Sequence, residues 1–134
     1  MTSSIIYLGD LRTEATHMAS KNTFITDAPL DNQGKGEAFS PTDTVATALA
    51  SCLLTLMGIK AQDLGVDLKG TSAAVTKVVA SNPRRIAEIQ VEVSFSKSFD
   101  PKTQNLLEPA ALTCPVPYSL HPDLNQNIHF NWPS

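Results

Sequence analysis

One long apolar segment without charge constrains the fold of this chain more than any other feature. No charged residue occurs from Thr44 to Ile59, and Cys52 lies near the middle of this segment. The segment has 16 residues, fewer than the roughly 20 that a membrane span needs, and it contains several serine and threonine side chains. We therefore predict a helix of a soluble protein. Because it is apolar on most faces, we expect it to be buried.

The residues before this segment form a strong helix start. Ser40 is placed as the N-cap, Pro41 takes the first helical position, and Asp43 follows three residues after the cap. The Ser40 side chain can accept a hydrogen bond from the Asp43 amide, and the Asp43 carboxylate lies at the positive helix end. The pattern predicts a helix from Pro41 to about Asp63, stopped by Gly65.

The rest of the chain predicts short strands and one further helix. The first 27 residues favour three short antiparallel strands, residues 66–80 and 86–98 favour two long strands joined by a turn, residues 101–113 favour a helix, and residues 128–130 favour a closing strand. The predicted order is βββ-α-ββ-α-β, an α+β architecture. A length of 134 residues indicates one domain, 1–134.

Composition excludes some classes of protein and favours others. The net charge is −3 and there is no basic run, so we expect no nucleic-acid partner. The N-terminal residues do not resemble a signal peptide, and we expect a cytoplasmic protein that does not associate with a membrane. Only 17% of the residues are charged, which favours a surface covered by a second subunit.

The two cysteines, Cys52 and Cys114, leave two interpretations open. Thiols are normally reduced in the cytosol, so both can be inert core residues or both can be catalytic. A Cys52 thiol buried among leucines would have a raised pKa and be unreactive unless a cation, preferably an arginine, lay nearby. The spacing excludes a CxxC site. Two cysteines and three scattered histidines do not predict a metal site, and no cofactor is expected.

Both cysteine segments resemble motifs of the OsmC/Ohr family, the osmotically induced and organic-hydroperoxide-resistance proteins. In that family a Ser/Asn-Pro helix start leads, through an alanine-rich run, to a reactive cysteine eleven residues after the proline. Pro41 and Cys52 have this spacing. The segment from Cys114 to Leu120 is similar to the second motif, Cys-Pro-x-Ser, with Pro117 in place of the serine. The order of strands and helices also agrees, so the resemblance covers essentially the whole chain.

The resemblance implies a thiol peroxidase that reduces organic hydroperoxides or hydrogen peroxide. Cys52 would attack the peroxide and become a sulfenic acid, and Cys114 would resolve it as a disulfide that an external dithiol reduces. It also implies an intertwined homodimer, with the Cys52 helices at its centre and each active site built from both subunits.

The family also uses an arginine and a glutamate to orient the thiolate. The glutamate follows the helix-start proline, where this chain has Thr42, and Asp43 is the nearest carboxylate. Arg12 is the only arginine in the N-terminal strands and is the expected cation. Two alternatives remain: Asp43 serves mainly the helix start, and Arg12 is a surface residue paired with Glu14 or Asp10.

The altered motifs keep a second function open, a binding or stress-associated dimer with little peroxidase activity. Under the peroxidase interpretation, an apolar pocket would favour hydrophobic peroxides. The candidates for its wall are Phe24, Phe39, Met57, Val116 and Tyr118.

Overall fold

The protein, described over residues 1–133 of a computed structural model, combines two three-stranded sheets with helices. The elements in chain order are β1 (Ser3–Gly9), β2 (Arg12–His17), β3 (Thr23–Asp27), α1 (Pro41–Leu64), β4 (Ser72–Ala80), β5 (Arg85–Ser94), α2 (Pro101–Ala111), α3 (Pro115–Ser119) and β6 (Asn125–Asn131). A 3-10 turn, Leu30–Asn32, lies in the loop after β3. The α+β class is confirmed, and the predicted order holds apart from the short helix α3, which the sequence did not predict.

Two predicted strands are too long. β4 begins at Ser72 rather than at residue 66, because Asp67 accepts a hydrogen bond from the Lys69 amide and Gly70 adopts a φ of 93°. These are features of a turn rather than of an extended strand. β5 ends at Ser94, whereas the closing strand β6 is longer than predicted.

The chain forms two compact units, the first of which comprises residues 1–45. Its sheet is antiparallel with the order β1-β2-β3. This unit has almost no core of its own, since its only buried residues are Ala15, Thr26, Asp27 and Ser40. Three of these four are polar, so little apolar surface is removed from water here.

The second unit begins at Ala46 and contains the hydrophobic core. Its sheet has the order β4-β5-β6, with β5 antiparallel to β4 and parallel to β6. The apolar face of β5 is fully buried at Ile89, Val91 and Val93, as its strict alternation predicts. These residues pack with α1 and with Cys114 into one cluster.

Helix α1 is buried along one stripe only, which corrects the expectation that most of its faces are buried. The stripe follows helical spacing and consists of Ala46, Leu49, Ala50, Leu53, Met57 and Ala61. On the opposite side, Ala48 is exposed and Ile59 is 52% exposed. Apolar composition alone does not reveal which side of a helix another surface covers.

The length of the charge-free segment does not exclude a membrane span. Helix α1 has 24 residues and is long and apolar enough to cross a membrane by length and composition. A core helix of a soluble protein meets the same criteria, and α1 contributes its buried stripe to the core of the second unit.

Candidate active site

Cys52 lies on α1 beside the buried stripe rather than within it. Its neighbours Leu49 and Leu53 are fully buried, but Cys52 itself is half-buried and packs against the edge of the core. The expectation that the Cys52 thiol is buried among leucines is wrong in the described chain, and its reactivity stays a prediction. A thiol on the flank of a helix keeps one side in contact with the core and one side open to a reactant.

Cys114 is held at a junction between two helices. It lies three residues after the end of α2 and is the N-cap residue of α3, with extended backbone angles (φ −69°, ψ 146°). Its amide donates to the carbonyl of Ala111 at 3.4 Å, and Pro115 begins the next helix. The Cys114 side chain is completely buried. The change of chain direction therefore places the thiol in the core.

The structure brings the two thiols together. The side chain of Cys114 lies close enough to that of Cys52 for the two thiols to affect each other's ionisation. Burial and the neighbouring Cys52 thiol raise the pKa of Cys114 from 9.0 to about 11, and the nearby Val116 amide opposes the shift in part. Cys114 therefore keeps its proton at neutral pH and can donate it to a Cys52 thiolate.

The pair is chemically suited to reversible oxidation. Both cysteines are free thiols in this structure. Attack on an oxidised Cys52 requires a second sulfur close by, and Cys114 is the neighbouring thiol. Among residues 1–133 no three His, Cys, Asp or Glu side chains cluster closely enough to hold a metal ion.

Arg12, in the first unit, pairs with a buried carboxylate. Its Nε donates to Asp27 Oδ1 at 2.6 Å and its Nη2 donates to Asp27 Oδ2 at 2.8 Å, a bidentate arrangement. Nη2 also lies 3.4 Å from Glu37 Oε1. Arg12 is therefore paired with Asp27 rather than with Glu14 or Asp10, the partners considered from the sequence. Nη1 makes no hydrogen bond with the described part of the chain, so it is available to an anion.

The charges of this pair reinforce each other. The hydrogen bond and charge of Asp27 raise the pKa of Arg12, and the hydrogen bond from Arg12 lowers the pKa of Asp27 against the effect of its burial. Sequence reasoning missed Asp27. The signal was present, because antiparallel pairing of β2 with β3 sets Arg12 directly opposite Asp27.

Asp43 belongs to the start of α1. Its amide donates to Ser40 Oγ at 3.1 Å, and its Oδ2 accepts from the Ser40 amide at 2.9 Å. This reciprocal pair is a capping box with aspartate in the usual position of glutamate. The predicted role of Asp43 at the helix start is confirmed, and a further role beside the thiolate stays a prediction.

The predicted pocket wall is wrong in one residue. Met57 is fully buried in the core and cannot line a pocket, whereas Phe24, Phe39 and Tyr118 are exposed. Val116 is half-buried and packs against the core. Helical spacing explains the burial of Met57, since it lies one turn beyond Leu53 on the buried stripe.

Comparisons with known proteins agree with this fold. A family model described as OsmC-like protein matches residues 34–128. None of the curated proteins compared with the chain matches it. A solved structure from Psychrobacter arcticus 273-4, described as an osmotic stress induced and detoxification response protein, is 55% identical. The match covers 98% of this chain and 96% of that chain, with a TM-score of 0.94.

More distant solved structures share the fold. An organic hydroperoxide resistance protein OsmC from Legionella pneumophila is 13% identical, with coverage of 98% of this chain and 97% of that chain and a TM-score of 0.75. A structure from Vibrio cholerae O1 biovar eltor, described as an organic hydroperoxide resistance protein with captopril bound in one of the active sites, is 15% identical. That match covers 98% and 92% of the two chains, with a TM-score of 0.74. At such low identities these likenesses show the fold alone.

Proposed function

Because the chain belongs to the OsmC family, we propose that it is a thiol-dependent peroxidase that reduces organic hydroperoxides or hydrogen peroxide. The observation that carries the proposal is the contact between the half-buried Cys52 thiol and the buried Cys114 thiol. Two of the structures that share the fold are named organic hydroperoxide resistance proteins, which supports a role in peroxide stress.

The proposed reaction has three steps. The Cys52 thiolate attacks the distal peroxide oxygen, the O–O bond breaks, and the leaving alkoxide takes a proton to become an alcohol. Cys52 is now a sulfenic acid. The Cys114 sulfur then attacks the Cys52 sulfur and loses its proton, a disulfide forms, and the sulfenic oxygen leaves as water. An external dithiol reduces the disulfide through a mixed disulfide and becomes oxidised itself.

Arg12 is the proposed cation of this reaction. A guanidinium keeps its charge under all ordinary conditions, and its free Nη1 donors suit a thiolate or a peroxide oxygen. Asp43 is proposed to contribute its carboxylate charge near the helix start, besides its cap hydrogen bonds. No cofactor enters any of the steps.

We also propose that the protein works as an intertwined homodimer in the cytoplasm, with each active site built from both subunits. The first unit supports this proposal, since it exposes more than half of the surface of each of several large apolar side chains: Ile5, Ile6, Tyr7, Leu8 and Phe24. A 45-residue unit that leaves so much apolar surface in water gains little stability from burial, and a partner subunit would cover it.

Consumption of cumene hydroperoxide in the presence of dithiothreitol tests the proposed activity. The wild-type protein should consume the peroxide, and Cys52→Ser should reduce the rate to that of the reductant alone. If the wild type is no faster than Cys52→Ser, the chain is a binding dimer on this fold with no peroxidase activity. The replacement of the family glutamate by Thr42 makes this second outcome worth testing.

A further inference from the structure

We propose that Asp27 is a positioning residue that fixes the orientation of the Arg12 guanidinium and keeps its Nη1 edge free for the reacting groups. The inference rests on the proposed function of Arg12 as the cation of the peroxidase. It adds a residue that neither cysteine motif contains.

The hydrogen bonds leave the guanidinium little freedom. A single hydrogen bond would let the planar group rotate, but Asp27 accepts from Nε and Nη2 at 2.6 and 2.8 Å, through both of its oxygens. Two parallel hydrogen bonds fix both the plane and the direction of the group. The edge that carries Nη1 consequently has one direction, and it lies away from Asp27.

Asp27 can act in this way because its own carboxylate is held. The side chain is 1% exposed, and its Oδ2 also accepts from the Glu37 amide at 3.1 Å. Its backbone amide donates to the Phe39 carbonyl at 3.0 Å. Through its carboxylate and its backbone amide, Asp27 thus joins the end of β3 to the start of β2 and to the end of the following loop. A carboxylate that is held by a backbone amide, on a residue whose own amide is also bonded, is a firm support for a long flexible arginine.

The other acidic neighbour of Arg12 does not fit this role. Glu37 has a 65% exposed side chain and lies 3.4 Å from Nη2, so water competes for both groups. The position after the helix-start proline is Thr42, which carries no carboxylate. Of the acidic groups that contact the guanidinium, Asp27 is therefore the one that can orient it.

The pH dependence of Cys52 alkylation by iodoacetamide tests the inference. The measurements use a Cys114→Ser background, so that only Cys52 reacts, and they do not depend on peroxidase activity. Asp27→Asn replaces one of the two oxygens that accept from Arg12 by an amide NH2 group. Asp27→Glu tests whether another carboxylate rescues the effect, and Arg12→Ala removes the cation. Glu14→Gln is the matched control, because it removes a carboxylate that lies on the strand of Arg12 but makes no hydrogen bond to it. Size-exclusion chromatography and circular dichroism check that each variant keeps its assembly and fold.

The sign of the shift separates positioning from simple charge. If Asp27 orients Arg12, Asp27→Asn should raise the pH midpoint of alkylation by about one unit, as Arg12→Ala does, because the thiolate loses its cation. Asp27→Glu should recover part of the shift and Glu14→Gln should show none. If Asp27 were only a nearby negative charge, its removal would lower the midpoint, which would overturn the proposal.

Arg12→Lys decides the matter if Asp27→Asn fails to fold. Lysine keeps the positive charge but cannot form the bidentate pair, so the midpoint should rise as in Arg12→Ala. If Arg12→Lys has the wild-type midpoint of alkylation, a positive charge at position 12 is sufficient. The proposal that Asp27 must orient the guanidinium is then contradicted. A wild-type midpoint in Arg12→Ala instead shows that Arg12 does not act on Cys52, and then the cation assigned in the proposed function is wrong.

Discussion

The fully buried thiol of Cys114 lies beside Cys52, and of the two residues only Cys52 retains contact with solvent. The two thiols are therefore suited to different steps of the reaction. Cys52 is accessible to a reactant, whereas Cys114 keeps its proton at neutral pH and is shielded from one. A peroxide should therefore oxidise Cys52 first, and Cys114 should react only with the product.

Replacing Cys114 should separate the first step from turnover. Cys114→Ser keeps a hydrogen-bond donor beside Cys52, so one equivalent of cumene hydroperoxide should still be consumed rapidly. Steady-state turnover should fall to a small fraction of the wild-type rate, because no disulfide forms for the dithiol to reduce. Stopped-flow peroxide consumption measures the first step, and dimedone labelling detects the accumulated sulfenic acid. Equal steady-state rates would show that Cys114 is not the resolving thiol.

The raised pKa of Cys114 predicts a loss of stability in alkali. The folded chain holds a proton on Cys114 that the unfolded chain releases above pH 9.0, whereas the folded chain releases it only near about 11. The free energy of unfolding is therefore unaffected at neutral pH, falls as the pH rises through this window, and loses on the order of 2 kcal/mol in total.

Urea unfolding at a fixed protein concentration, from about pH 8 to about pH 11, measures this loss. Cys114→Ala is the control: it lowers stability at every pH through the cavity it leaves, but its stability should fall less steeply with pH. Identical slopes for the two proteins would mean that Cys114 titrates normally in the folded state.

The capping box at the start of α1 should contribute measurably to stability. Ser40 is buried and exchanges two hydrogen bonds with Asp43, so Ser40→Ala leaves the Asp43 amide without its acceptor. The expected cost is about 1 kcal/mol in urea unfolding. Ser98→Ala, at an exposed position outside any helix or strand, should change stability by less than about 0.5 kcal/mol. A cost for Ser40→Ala no larger than that of the control would contradict the cap.

The exposed side of α1 should be covered in the proposed homodimer. Ile59 is 52% exposed in the single chain, and Ile59→Lys would place a charge in the covered surface. The variant should dissociate or unfold at concentrations at which the wild type is dimeric, as measured by sedimentation velocity. Ser98→Lys, at an exposed position outside any helix or strand, is the control and should remain dimeric. A wild-type protein that sediments as a monomer would contradict the homodimer.

The sequence predicts the parts of the fold that local patterns determine. The helix start at Pro41 follows from Ser40 and Asp43, and the alternation in β5 identifies its buried face. The partnership of Cys52 and Cys114 came from the resemblance of two motifs. Local patterns could not reveal it, because the contact depends on how distant segments pack.

The residues that sequence reasoning missed depend on register and on covered surface. Asp27 stands at the end of a short strand, and its role follows only from its pairing opposite Arg12. The half-buried state of Cys52 depends on which side of α1 faces β5. Because the segment is apolar on both sides, its sequence does not predict which side is buried. The sequence predicted no helix between residues 113 and 128, yet Pro115 and Pro117 are compatible with the first turn of the short helix α3.

Mass mapping of the oxidised protein tests the central claim most directly. The reduced protein is treated with one equivalent of cumene hydroperoxide, quenched with iodoacetamide and digested without reductant. We predict a peptide pair joined by a disulfide between Cys52 and Cys114 of the same chain, with an intact mass lower by two hydrogens. Two alkylated cysteines after the peroxide has been consumed, or a disulfide that joins two Cys52 residues, would contradict the account.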